Sequence, residues 1–268
     1  MKKILLGFIA IGLLTFVGCE KDDDTDTETT DSTETSSDEG STDTSDEGTD
    51  TSSDEGSTDT SDEGTDTSSD EVKDADGYTY KTVTIGTQEW MVENLRTTKY
   101  SDGTVIPNVT DDTEWENDTT GAWCNYKNDN QYDTIYGKLY NFYAVETGKL
   151  CPTGWHVPTF YEWNALKTYL MEKGHREGTV LKSTLGWNDH IGKSGNGTDN
   201  YGWSGLPGGR RNYSGSFSAI GEIGYWWSST AAIDLNMAEI TSITNSRGGL
   251  NCHLDFNRLG ASVRCLRD

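Results

Sequence analysis

"VPTFYEWNALKTYLMEKG", residues 157–174, carries the clearest helical pattern in the chain. Thr159 and Glu162 stand three apart just after Pro158, the spacing of a capping box, in which each side chain satisfies a backbone N–H at the helix entrance. Phe160, Trp163, Leu166 and Leu170 then recur at helical spacing, which gives one apolar stripe for a core. Gly174 follows where the left-handed residue that ends a helix is expected.

On either side of this helix the pattern changes period. Upstream, "YTYKTVTIGTQEWMVENL" from Tyr78 alternates with Val83 and Ile85 on one side, and Gly86-Thr87 suits a two-residue hairpin turn with glycine first, so a β-hairpin ending near Asn94-Leu95 is expected. Downstream, residues 175–224 are rich in Gly, Asn, Ser and Trp, a long irregular stretch of the kind that usually has a role. Alternation returns at Leu250, Cys252, Leu254 and Phe256, and again at Ala261, Val263 and Cys265. The domain therefore reads as α+β with antiparallel pairing and a loop-rich middle.

The charge is not spread over this domain. Of 45 acidic residues, 24 lie in residues 20–76 against two lysines, so that stretch holds −22 of the net −24, and residues 77–268 are left with about −4. All nine tryptophans and all thirteen tyrosines fall after residue 76. From Thr35 the 16-residue unit "TSSDEGSTDTSDEGTD" repeats without error and without one apolar position. A segment with no apolar area to offset roughly 1–2 kcal/mol of backbone entropy per residue stays disordered, and its like charges extend it. Residues 19–76 are thus expected to be a disordered acidic linker, and 77–268 the folded domain. No basic patch points to nucleic acid.

The chain opens "MKKILLGFIAIGLLTFVGCEKDDD": two lysines, an apolar run too short for a membrane span, then Gly18-Cys19 and a block of acid. Residues 1–18 read as a signal peptide. Phe16-Val17-Gly18-Cys19 resembles a bacterial lipobox, which makes Cys19 the lipidation site and the membrane a partner through a lipid anchor. The acidic run from Glu20 resembles the export tag of Bacteroidetes lipoproteins, which implies an outer-membrane protein exposed at the cell surface.

Six blocks in the folded part, "IGTQEWMVENLRTTKYSDGTVIP", "YGKLYNFYAV", "CPTGWHVPTFYEW", "NGTDNYGWSGLPGGRR", "GYWWSST" and "SVRCLRD", occur in the order and spacing of the Fibrobacter succinogenes major paralogous domain. The resemblance covers about residues 77–268. That family is similar to the formylglycine-generating enzyme and C-type-lectin-like folds, which implies a twisted antiparallel sheet, one or two helices and long surface loops.

The chemistry-bearing motifs are few. "GWNDHIGKS" has five residues between Gly186 and Gly192 where a phosphate-binding loop needs four. No GxSxG, HExxH or CxxC is present, and His156, His175, His190 and His253 are scattered; His156 reads as a packed or hydrogen-bonded structural residue. Trp187-Asn188-Asp189 matches the calcium triplet of sugar-binding lectins, and with Asn196 and Asp199 it supplies the hard oxygen ligands calcium prefers; the other reading is a set of turn residues capping their own backbone. Formylglycine-generating enzymes use a reactive thiol pair close in sequence, whereas Cys252 and Cys265 are thirteen apart, so the chain is expected to be no enzyme, with an oxidoreductase of that type or a purely structural surface component as alternatives.

Beyond Cys19, four cysteines in an exported domain favour two disulfides. If the last two strands pair, Cys252 lies opposite Cys265 and Cys124 is left with Cys151; the lectin-like resemblance instead implies Cys151 with Cys265. In "GYWWSST", residues 224–230, successive strand side chains point to opposite faces, so Trp226 and Trp227 cannot enter one core layer. One of them is either a second small core or an exposed stacking surface for a sugar, with Trp203, Tyr201, Arg210 and Arg211 as companions. The expected function is a lectin-like, non-catalytic domain that binds an extracellular glycan or a surface protein.

Overall fold

A computed structural model describes residues 71–232 and 235–268. The expected signal peptide over 1–18, the expected lipidation site Cys19 and the expected linker through residue 70 lie outside the described residues. Residues 71–76, assigned to the linker from composition, belong to the fold. Strand β1 (Val72–Lys73) pairs antiparallel with β2 (Thr79–Tyr80), and Val72 is buried. Acid-rich composition hid them, because the two aspartates of "DADG" are spent on structure. Asp74 accepts from Asp76 N–H, Tyr78 N–H and the Tyr80 hydroxyl. Asp76 accepts from Thr98 N–H and Lys99 Nζ; burial works against its charge, yet these bonds outweigh it and hold the carboxyl down to about 2.

The expected hairpin forms as β3 (Thr82–Ile85) and β4 (Gln88–Met91), with Ile85 opposite Gln88 across Gly86-Thr87. Gly86 has φ +64°, and a Cβ there would come within 3.0 Å of the Tyr169 ring, so both the turn and the close approach require glycine. A short helix α1 (Asp112–Asn117), β5 (Trp123–Cys124), α2 (Asp133–Tyr136), β6 (Leu139–Tyr140) and α3 (Phe142–Val145) follow, with β5 and β6 paired. Strand β7 (Trp155–His156) leads into α4 (Phe160–Glu172), the expected helix, and α5 (Glu177–Leu181) comes after. In α4 the Thr159 and Glu162 capping box is complete, and Trp163, Leu166 and Leu170 are buried. Thr159→Ala should cost about 1 kcal/mol, read from urea midpoints; an unchanged midpoint would show that packing alone sets the helix start.

The remaining strands are β8 (Gly208–Arg211), β9 (Phe217–Ile220), β10 (Ile223–Ala232), β11 (Met237–Thr244), β12 (Asn251–Phe256) and β13 (Leu266–Arg267). Two main sheets result, ordered β12-β11-β10-β8-β9 and β3-β4-β13-β7. The second is antiparallel throughout, as expected; in the first, β10 and β8 run parallel, which departs from an all-antiparallel sheet. The last two strands do not pair with one another: β12 is an edge strand on β11, and β13 inserts between β4 and β7. Leu254 and Phe256 on β12 are exposed, so its alternation marks a strand without marking a buried face. The fold is a mixed α+β domain, mostly sheet, with few helices.

Candidate functional site

The tryptophan pair is core on both sides. In β10, Trp226 sits opposite Thr241 and Trp227 opposite Ile240, and the two rings leave through opposite faces. Trp227 joins one apolar cluster, donates to the Tyr140 carbonyl at 2.7 Å and packs on Phe142. Trp226 joins another, donates to Asn94 Oδ1 at 2.9 Å and meets the edge of Trp203. Trp203, Trp226 and Trp227 are each 0 % exposed, so none offers a face on which a sugar could stack.

The companion residues do not converge either. Arg211 is buried, donating to the carbonyls of Val109, Thr110 and Gly215 and to Asp112. Arg210 pairs with Asp255 at 3.1 Å and lies over Tyr225. Tyr201 is half-buried, edge-on to Tyr169 and His175. The physical reason is that this chain fills its interior with indole rings and arginines capped by backbone carbonyls, so of the two readings open for the tryptophan pair the second core is the one observed.

Two of the four oxygen ligands singled out for calcium, those of Asn196 and Asp199, accept hydrogen bonds from neighbouring loop residues. Asn196 Oδ1 accepts from Trp187 N–H, and the Asp199 carboxylate accepts from the N–H and hydroxyl of Ser204. Asn188 is bonded through its backbone to Gly221 and Asn245, while Asp189 is exposed. Among the described residues no group of three His, Cys, Asp or Glu side chains stands together as a metal site.

Cys151 and Cys265 form a disulfide, the pairing implied by the lectin-like resemblance. The expected second bridge is absent among the described residues: Cys124 is a buried thiol in β5, pushed up to about 12 by burial, and Cys252 lies on β12 within hydrogen-bonding distance of Thr241 Oγ1. The two thiols stand on strands of different sheets.

A cleft lies next to the disulfide, with Pro152, which follows Cys151, in its lining. Its volume is about 430 Å³, and it is bounded on one side by the strap that starts the domain, including Val72 and Lys73, and on the other by Ser101, Gly154, Trp155 and Arg267. Trp155 and Arg267 are cross-strand partners on β7 and β13, so their side chains share one face. Three bonds fix this wall: the Cys151–Cys265 bridge at its back, Asp268 N–H to the Gly154 carbonyl, and Trp155 N–H to Pro152 O. Trp155 is half-buried, unlike Trp226 and Trp227, because a two-residue strand between "CPTG" and Pro158 leaves part of the ring uncovered. Lys73 is paired with Glu71 at 2.7 Å and Arg267 with Glu89 at 3.0 Å, so the lining combines an indole with balanced charges of both signs. Such a surface can stack the apolar face of a sugar ring and bond its hydroxyls. Sequence reasoning missed Trp155; the available signal was its position between two chain breakers, which limits how much neighbouring strand can cover it.

A family model described as Fibrobacter succinogenes major domain matches residues 83–267. No curated protein and no solved structure matches the chain.

Proposed function

This chain belongs to the Fibrobacter succinogenes major domain family, and on that premise we propose that it is a lipid-anchored outer-membrane protein whose C-type-lectin-like domain binds an extracellular glycan without catalysis. The observation that carries the reading is the half-buried Trp155 indole in the cleft it shares with Arg267 and the strap. Cys19 is the anchor in this reading, and the acidic linker lifts the domain off the membrane. The ligand is held by stacking on Trp155 and by hydrogen bonds from Arg267, Lys73 and Ser101.

A glycan array probed with the full chain tests it. We expect binding to a saccharide class that Trp155→Ala weakens about tenfold or more, the scale of one lost stacking contact with its hydrogen bonds, while thermal stability falls far less than in a buried-tryptophan variant. Binding that survives Trp155→Ala would move the site elsewhere, and an empty array would remove the glycan reading.

A further inference from the structure

His156 stands between two carboxylates. Its Nδ1 lies 2.7 Å from Asp268 Oδ1 and its Nε2 lies 2.9 Å from Glu162 Oε1. A neutral imidazole carries one N–H, so one of these contacts would set a ring lone pair against a carboxylate oxygen; only the imidazolium donates to both. Geometry alone therefore selects the charged ring.

The three residues lie in three different parts of the fold. His156 is on β7, beside Trp155. Glu162 is in the first turn of α4, where its other oxygen accepts from Thr159 N–H and the Thr159 hydroxyl. Asp268 directly follows β13, beside Arg267. The ring thus bridges the strand that carries Trp155, the strand that carries Arg267 and the head of the helix behind them. Charged neighbours from the packed elements are Glu162 of α4, Asp268 and Arg267 at β13 and, through Arg267, Glu89 of β4. Burial opposes the charge on His156, but the Asp268 and Glu162 bonds outweigh it and raise the imidazole above its ordinary value; Glu162, also working against burial, is lowered by its bonds from Thr159 and His156.

We propose that the imidazolium of His156 is the positioning group of the cleft: by donating to Asp268 and Glu162 together it holds β13 and the head of α4 on β7, and loss of its proton loosens the Trp155–Arg267 wall. The consequence for ligand binding rests on the cleft reading above; the latch itself does not. Because the folded-state value is raised, the latch contributes fully below the unfolded imidazole value of about 6.5 and is lost as pH rises through the folded-state value.

The test is NMR on the full chain between pH 6 and 9, following the His156 ring and the hydrogen-exchange protection of the Asp268 amide, which is bonded to Gly154 O. The ring should titrate above the ordinary imidazole value, and protection at Asp268 should fall about fivefold to tenfold as it does so, the scale of one hydrogen bond. In His156→Gln protection should be low at pH 6 and flat with pH; in Asp268→Asn, which leaves the core untouched, the ring should titrate lower than in the wild type. A ring that titrates at or below the ordinary value, or wild-type protection that does not change with pH, overturns the latch. No ligand enters this measurement, so an empty glycan array beside an intact latch removes the binding reading alone.

Discussion

Trp226→Ala should lower the stability of the domain by about 3–5 kcal/mol, the range for deleting a large aromatic from a packed core, and Trp227→Ala should do the same from the other side of β10. The two losses differ in kind. Trp227 leaves a cavity beside Phe142 and deprives the buried Tyr140 carbonyl of its 2.7 Å donor. Trp226 leaves one beside Trp203 and removes a donor from Asn94 Oδ1, which also accepts from Arg264. Arg264 is 0 % exposed, stacks on Trp203 at 3.8 Å and also donates to the Trp203 carbonyl; burial pushes its guanidinium down to about 9. A buried cation held mainly by aromatic faces and neutral oxygens depends on those faces being in place. Urea unfolding at constant m-value measures both variants. A loss under 1 kcal/mol in either would mean that the ring is not the core element described here.

Removing the Cys151–Cys265 bridge, as the double serine variant, should cost about 4 kcal/mol. The bridge closes a sequence separation of 114 residues, and in the chain-entropy description a loop of that size restricts the unfolded ensemble by roughly 4–5 kcal/mol. It spans nearly the whole second half of the domain, from the turn before β7 to the residue before β13. The native contacts it leaves behind are the buried segment around Val263 and the pairing of β13 between β4 and β7. Urea curves of the wild type with and without reductant, set beside the variant, give the number. If reductant leaves the midpoint unchanged while mass analysis shows the bridge opened, the stabilisation assigned to it is wrong.

The cleft and its latch follow from that bridge. Covalent closure brings Pro152–His156 against Leu266–Asp268, and the side chains that emerge from this short ladder are Trp155 and Arg267 outward and His156 toward α4. His156 is not distinctive in the sequence, since a single His in "GWHVP" fits any packed turn. Its role comes from partners 112 residues away at Asp268 and six residues away at Glu162.

Local order was legible wherever one element determines its own geometry. The Thr159–Glu162 capping box, the stripe of α4 and the Gly86-Thr87 turn rest on contacts a few residues long, and each is present as the pattern requires. The family blocks from residue 83 onward, and the division of charge between the acidic segment and the domain, are likewise properties of the linear chain. The opposite faces of Trp226 and Trp227 also followed from strand periodicity alone. Whether either face met solvent did not, because burial is decided by what packs from elsewhere: α4 and Trp203 over one ring, Phe142 and the 261–265 segment over the other. The tertiary structure alone made the tryptophan pair interior and set His156 against Asp268, because the segments that cover the two indoles and the second carboxylate come from far along the chain, beyond the reach of any local pattern.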